Sequence, residues 1–410
     1  MAVATPRLTD ERDCVRRLAD QVAEIAAGPE NRLIQQRWRD VNALRCADRA
    51  PVWCKPVGAW PELLPEEQLA CHDPWRRSVE RSLRMTLIKH DIGDDTPVDA
   101  GFPVPVVFDR DPPSIWGLPV HRLDSDDEGG AWGFDPALVT RADFDKLRLP
   151  HFRYNRARTE RALERAAELL GDTLPVRRTC DAPLSATLGT AAADLRGLSE
   201  LMLDMAAEPE LVHRLMAHLR DGVLQAMREV EAAGVLTPNN SGPMLCSDPV
   251  GSEPADGGVT YRNLWVMANS QEFESVSPAM WEEFSLAYQL PIIEQFGLSA
   301  YGCCENLTRK IDGVLRIPNL RIFVCSAWTN LDTVIDRVGS DYVIMWRQKA
   351  TDVIFTDDLS ILQRGLDDGL RRLRGCYTQV VLRELQTLNG HLDRLHHWTR
   401  MAKAAAERFA

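Results

Sequence analysis

Residues 298–306, LSAYGCCEN, decide how the chain is read: an apolar run stops abruptly in two adjacent cysteines, a glutamate and an asparagine. A short apolar run that ends in polar groups is what a buried strand of an α/β protein offers at its C-terminal end, where such folds place their chemistry. Free cysteine also packs as a small hydrophobe, so core packing of Cys303 and Cys304 stands beside a ligating or reactive role.

Working outward from this stretch, similar runs recur at VRRTCDA (176–182), GVLTPN (234–239), LWVMAN (264–269), LRIFVCS (320–326), YVIMWR (342–347) and TQVVLRE (378–384). Earlier candidates are PVWCKPVG (51–58), with Lys55 near its end, and PVPVVF (103–108). Helical spacing fills the intervals, as in Leu198 to Met216 and Glu210 to Ala233. Ser277-Pro278 supplies a cap and a first-turn proline, Phe296-Gly297 closes that helix, and Pro291 is expected to kink it. Strands alternating with helices predict a parallel sheet buried on both faces. A count of eight or nine strands predicts a closed (β/α)₈ TIM barrel over residues 46–410, preceded by an N-terminal helical extension over 1–45. No glycine-rich loop follows any strand, which disfavours a dinucleotide-binding domain.

At 410 residues and 45% hydrophobic content the chain can bury a large core. The net charge of −12 leaves no basic stripe for nucleic acid. No apolar run is long enough to span a bilayer, and MAVATPRLTDERD lacks the apolar core of a signal peptide, so a cytoplasmic location is expected. The ten cysteines have no disulfide-framework spacing, which leaves thiol or metal chemistry open. Between Trp60 and His151 the text is irregular. The acidic patch Asp124 to Glu128 reads as a solvated loop, and the Gly93-Asp94-Asp95 turn as a candidate lid.

Groups at or just after the strand ends are the candidate site: Cys180 and Asp181; Asn239 and Asn240; Asn269, Gln271 and Glu272; Cys303, Cys304 and Glu305; Cys325, Ser326 and Trp328; Arg347 and Lys349; Thr387 and His391. Each has a plainer alternative. Asp181 and Asn240 can cap turns, Trp328 can pack as a lid, and Lys349 can be solvated.

NSQEFESVSPAMWEEFSLAYQLPIIEQFG (269–297), YGCCENLTRKIDGVLRIPNLRIFVCSAW (301–328), DYVIMWRQKATD (341–352), VVLRELQT (380–387) and RLHHW (394–398) together resemble the uroporphyrinogen decarboxylase-like superfamily, which includes zinc-dependent cobalamin methyltransferases. The resemblance covers the C-terminal third, and it implies a (β/α)₈ barrel that is often a homodimer. RAPVWCKPVGAW stands where the decarboxylases carry an arginine-rich motif, so porphyrinogen decarboxylation is not expected. The methyltransferases carry a His-x-Cys pair where this chain has Tyr301-Gly302-Cys303-Cys304. The resemblance implies zinc held by Cys303 or Cys304 with Cys325 and His391, leaving one position open. In that reading the metal activates a thiolate, Gln271 and Glu272 orient the donor or acceptor, Asn240 binds its polar end, and a corrinoid is carried by a partner protein. The alternative is a metal-free decarboxylase or lyase in which Arg347 and Lys349 anchor a small carboxylate and Asp181 or Glu305 moves a proton, with Ser326 and Trp328 also against the substrate.

Overall fold

A computed structural model describes residues 8–123, 133–252 and 257–410; the acidic patch at 124–128 lies outside them. Eight strands make the parallel pairings: β1 (Val52–Pro56), β2 (Phe102–Pro105), β3 (Val176–Thr179), β4 (Trp265–Ala268), β5 (Leu298–Tyr301), β6 (Leu320–Cys325), β7 (Val343–Gln348) and β8 (Tyr377–Leu385). Six of them form one curled parallel sheet in the order β1-β8-β7-β6-β5-β4, and β2 pairs with β3 separately. Phe108–Asp111 pairs antiparallel with His151–Tyr154, and His121–Leu123 with Gly133–Asp135.

The chain is therefore mixed α/β with a parallel sheet, as expected, but no hydrogen-bonded ring of eight strands closes among the described residues. The opening lies where the sequence is poor in donors. Pro103 and Pro105 in β2 and Pro238 in GVLTPN carry no N–H for a ladder, and 234–239 forms no strand. That segment is tied to the end of β3 by Thr237 N–H to Cys180 O at 2.9 Å. Asn239 clamps β4 by both backbone groups of Trp265, each at 2.9 Å.

Alternation along the strands separates two buried faces. Trp53, Trp265, Ala300, Ile322, Val324, Val343, Met345 and Val381 make the concave core, packed against Ile34, Trp38 and Val41. These last three come from the second of two N-terminal helices, α1 (Leu8–Ala27) and α2 (Pro29–Asn42). Each such side chain, fully removed from water, contributes about 1.5–3 kcal/mol. On the convex face Phe323, Cys325 and Ile344 join one helical core, and Val52, Cys54, Val380 and Leu382 another. Asn42 stitches α2 to the carbonyls of Met244 and Cys246 at 3.0 and 2.8 Å, and Gln379 of β8 donates to Asn42 Oδ1 at 2.8 Å.

Two local readings change. The segment read as irregular contains a 19-residue helix, Pro74–Ile92, capped by Asp73 and ended by Gly93 at φ 76°. Its string of arginines hides the apolar spacing. The Asp94-Asp95 turn is a buried anchor rather than a lid. Asp95 is 0% exposed, accepts from Arg49 at 2.6 Å and Arg37 at 2.8 Å, and pairs with both backbone groups of Val52 at 2.7 Å. The helix opened by Ser277 and Pro278 does form, with a π turn at Glu282–Leu286 ahead of Pro291. No helix among the described residues is long and apolar enough to cross a membrane.

Candidate functional site

Strand parity decides which side chains reach the C-terminal end of the concave face. Val343 and Met345 point inward, so Arg347 does too; Val381 does, so Arg383 follows; Trp53 does, so Lys55 follows. Three cations from β7, β8 and β1 therefore gather at one end of the sheet. The chain leaving β5 is turned over them by Gly302 at φ +115°, where an added Cβ would stand 3.0 Å from the Val324 Cβ. Cys303 and Cys304 follow at once.

The thiols lie 3.6 Å apart, and Arg347 Nη1 is 3.5 Å from Cys303 Sγ and 3.8 Å from Cys304 Sγ. The same nitrogen is 3.6 Å from Glu384 Oε1. The hydrogen bond donated by the Cys304 thiol, with the Arg347 and Arg383 charges, pulls Cys303 down to about 5 against the opposing effect of burial. Cys304 is driven the other way by that same bond, so the pair shares one proton. Burial and the Arg347 charge lower the Arg383 guanidinium, and partial burial with Arg383 and Arg347 lowers Lys55. Arg347 is 4% exposed, and its Nε and Nη2, like the Arg383 Nε, meet no hydrogen-bond partner among the described residues.

A cavity of about 170 Å³ opens over these groups, bounded by Cys303, Cys304, Ser326, Trp328, Lys349 and Glu384 together with the two arginines. Trp328 is 57% exposed, with Lys349 Nζ 5.0 Å from its ring centre. Glu305 lies beneath, 0% exposed, its carboxylate accepting from Ser270 N–H at 2.9 Å and Cys303 N–H at 2.8 Å. Burial raises its pKa despite these bonds. Ser326 Oγ donates to the Glu305 carbonyl at 2.8 Å.

Of the groups singled out in the sequence, Cys303, Cys304, Ser326, Trp328, Arg347 and Lys349 meet at this cavity, with Glu305 underneath. The rest lie elsewhere. Cys325 shares the convex face with Phe323, and its Sγ rests 3.8 Å from Ser326 O and 3.9 Å from Thr329 O; its pKa is pushed up to about 12 by burial. His391 is exposed on the loop after β8, and Thr387 binds Glu62 at 2.7 Å. Asn240 holds the carbonyls of Ser247 and Asp248 at 2.9 and 3.1 Å, a turn-fixing role. Gln271 sits exposed in a single turn, Glu272 binds Thr190 Oγ1 at 2.6 Å, and Asp181, raised by burial, follows β3. Of the set Cys303, Cys304, Cys325 and His391, the structure brings together the first two and places Cys325 and His391 apart from them. Among the described residues, the cluster that could hold a metal is Cys303, Cys304 and Glu384, with ligand atoms all within 4.8 Å of one another.

Arg383 and Glu384 were not picked out by the strand-end reading. Between Cys54/Leu382 and Pro56/Leu385 the register shifts, so two residues of β8 face the single Lys55 of β1. Glu384 takes φ 64° there, a left-handed conformation unusual for glutamate. The bulge aims its carboxylate back at the thiols, and no residue pattern announces it.

Comparison with known proteins bears on the fold. No family model matches the chain, and no curated protein matches its sequence. A solved methyltransferase from Methanosarcina mazei superposes with a TM-score of 0.50 over 90% of this chain and 98% of that one, at 10% identity. At that identity the chain is similar to the methyltransferase in fold.

Proposed function

We propose that this chain is a zinc-dependent methyl or alkyl transferase of the uroporphyrinogen decarboxylase-like kind, acting through a metal-activated thiolate. The supporting observation is the donor set Cys303, Cys304 and Glu384. Two thiols and a carboxylate are donors zinc accepts, and their 3.6 Å sulfur separation is close to the edge of about 3.8 Å that tetrahedral ligands at about 2.3 Å require. Arg347 Nη1 faces the same three groups, so it must turn aside for an ion to enter. Zinc held there would supply a Lewis acid able to keep a substrate thiol deprotonated at neutral pH. The chain's own groups do the rest. Arg347 and Arg383 line the cavity and supply positive charge for an anionic part of the substrate, Glu305 fixes the Cys303 backbone, and Trp328 with Lys349 walls the mouth. A corrinoid-carrying partner protein and a homodimeric state belong to the same proposal.

A metal-free decarboxylase or lyase is the second reading, favoured by the same two arginines in the lining, whose charge would anchor a carboxylate. Elemental analysis separates the two. Wild type incubated with zinc is expected to hold about one equivalent, lost in Cys303→Ser, Cys304→Ser and Glu384→Gln and kept in Cys325→Ser and His391→Ala. Equally low zinc in every protein would remove the metal reading.

A further inference from the structure

A second cavity, of about 650 Å³, lies beside the loops that follow β3 and β4. Its walls are mainly apolar, with Trp116, Leu118, Leu184 and Leu188 prominent, and Thr190 and Asp194 contribute polar groups. Asp194 is only partly exposed, and no cation or hydrogen-bond donor among the described residues meets its carboxylate. Burial and the nearby Glu272 charge push it up to about 6. Glu272 spends one oxygen on Thr190 Oγ1 at 2.6 Å, while its other oxygen is buried without a partner. Arg110, the one cation of the lining, is exposed at the rim and forms no ion pair with Asp194 among the described residues. Asp194 thus lacks a counter-charge at the edge of an apolar chamber that contains an indole, with the Glu272 carboxylate behind it.

We propose that this cavity binds an organic cation with an apolar body, an alkyl- or arylammonium, its charge against Asp194 and its hydrocarbon against Trp116, Leu184 and Leu188. A desolvated carboxylate without a donor gains a charge-assisted hydrogen bond from an ammonium group, and an indole adds attraction for the same charge. An anion would meet the Asp194 carboxylate, and a neutral ligand would leave it uncompensated. The site goes beyond the transferase reading and stands without it.

The test is calorimetric titration of the full chain at pH 7 with benzylamine, which is protonated, and with benzyl alcohol, its neutral counterpart of nearly equal shape. Wild type is expected to bind the ammonium at least about tenfold more tightly. Asp194→Asn should bring the ratio within about threefold, with a melting curve confirming that it folds. Ala191→Phe, which fills the chamber and keeps the Asp194 carboxylate, should abolish binding of both. No binding by wild type, a ratio near one, an undiminished ratio in Asp194→Asn, or full binding in Ala191→Phe would each overturn the proposal.

Discussion

If the Cys304 thiol and the Arg347 guanidinium hold Cys303 as a thiolate, removing either must shift its titration upward by a calculable amount. Cys303 stands at about 5 against 9.0 for an ordinary thiol. An opposite charge within a few ångströms lowers a pKa by about 1–3 units, so Arg347→Gln should move the midpoint to roughly 6–8. Cys304→Ala, which removes the larger cause, should move it at least as far. The assay is the rate of iodoacetamide labelling of Cys303 between pH 4 and 10, read by peptide mass spectrometry. The rate at pH 7 alone would mislead. A rise of two units from 5 leaves half the thiol ionised at neutral pH, while intrinsic nucleophilicity climbs with a Brønsted slope of about 0.4–0.5, raising the plateau roughly sixfold to tenfold. The signature is therefore a higher midpoint with a higher plateau. A wild-type midpoint near 9, or one unmoved in either variant, would refute the thiolate assignment.

Asp95→Ala should destabilise the fold by about 3–5 kcal/mol in denaturant titration, because buried Arg49 would lose both of its short bonds to the carboxylate, while Arg37 would keep only Asp48. Asp194 carries the opposite sign. Its native carboxyl keeps a proton that the unfolded chain has released, so stability falls as pH rises from about 4 through about 6. Asp194→Asn should flatten that part of the profile and gain about 1 kcal/mol at pH 7, a figure reduced for solvent screening at a partly exposed group.

Most of the scaffold was legible because buried parallel strands are written as apolar runs. Every run but GVLTPN became a strand, and that one contains Pro238, with no donor to give a ladder. The strand-end rule also located Cys303, Cys304, Glu305, Ser326 and Arg347. It misplaced Cys325 by ignoring parity, since Val324 faces the concave side and the next residue must face away. His391 was taken from chain position alone, and a loop residue has no parity to place it. Glu384 was hidden for a different reason. A bulge is a backbone event, and nothing in LREL marks which residue will be extra.

The lateral neighbour of β1 in the main sheet is β8, and the Asn42–Gln379 hydrogen bond joins positions 337 apart. During synthesis the N-terminal helices and β1 therefore emerge long before the strand they dock against exists. At about 5–20 residues per second the wait is tens of seconds, during which the edge of β1 that β8 will cover stays open. A nascent chain stopped before residue 376 lacks both the seam and the tie to Asn42. Such fragments should bind chaperones or aggregate rather than accumulate as folded N-terminal pieces, because the first strand of the main sheet is sealed by the last.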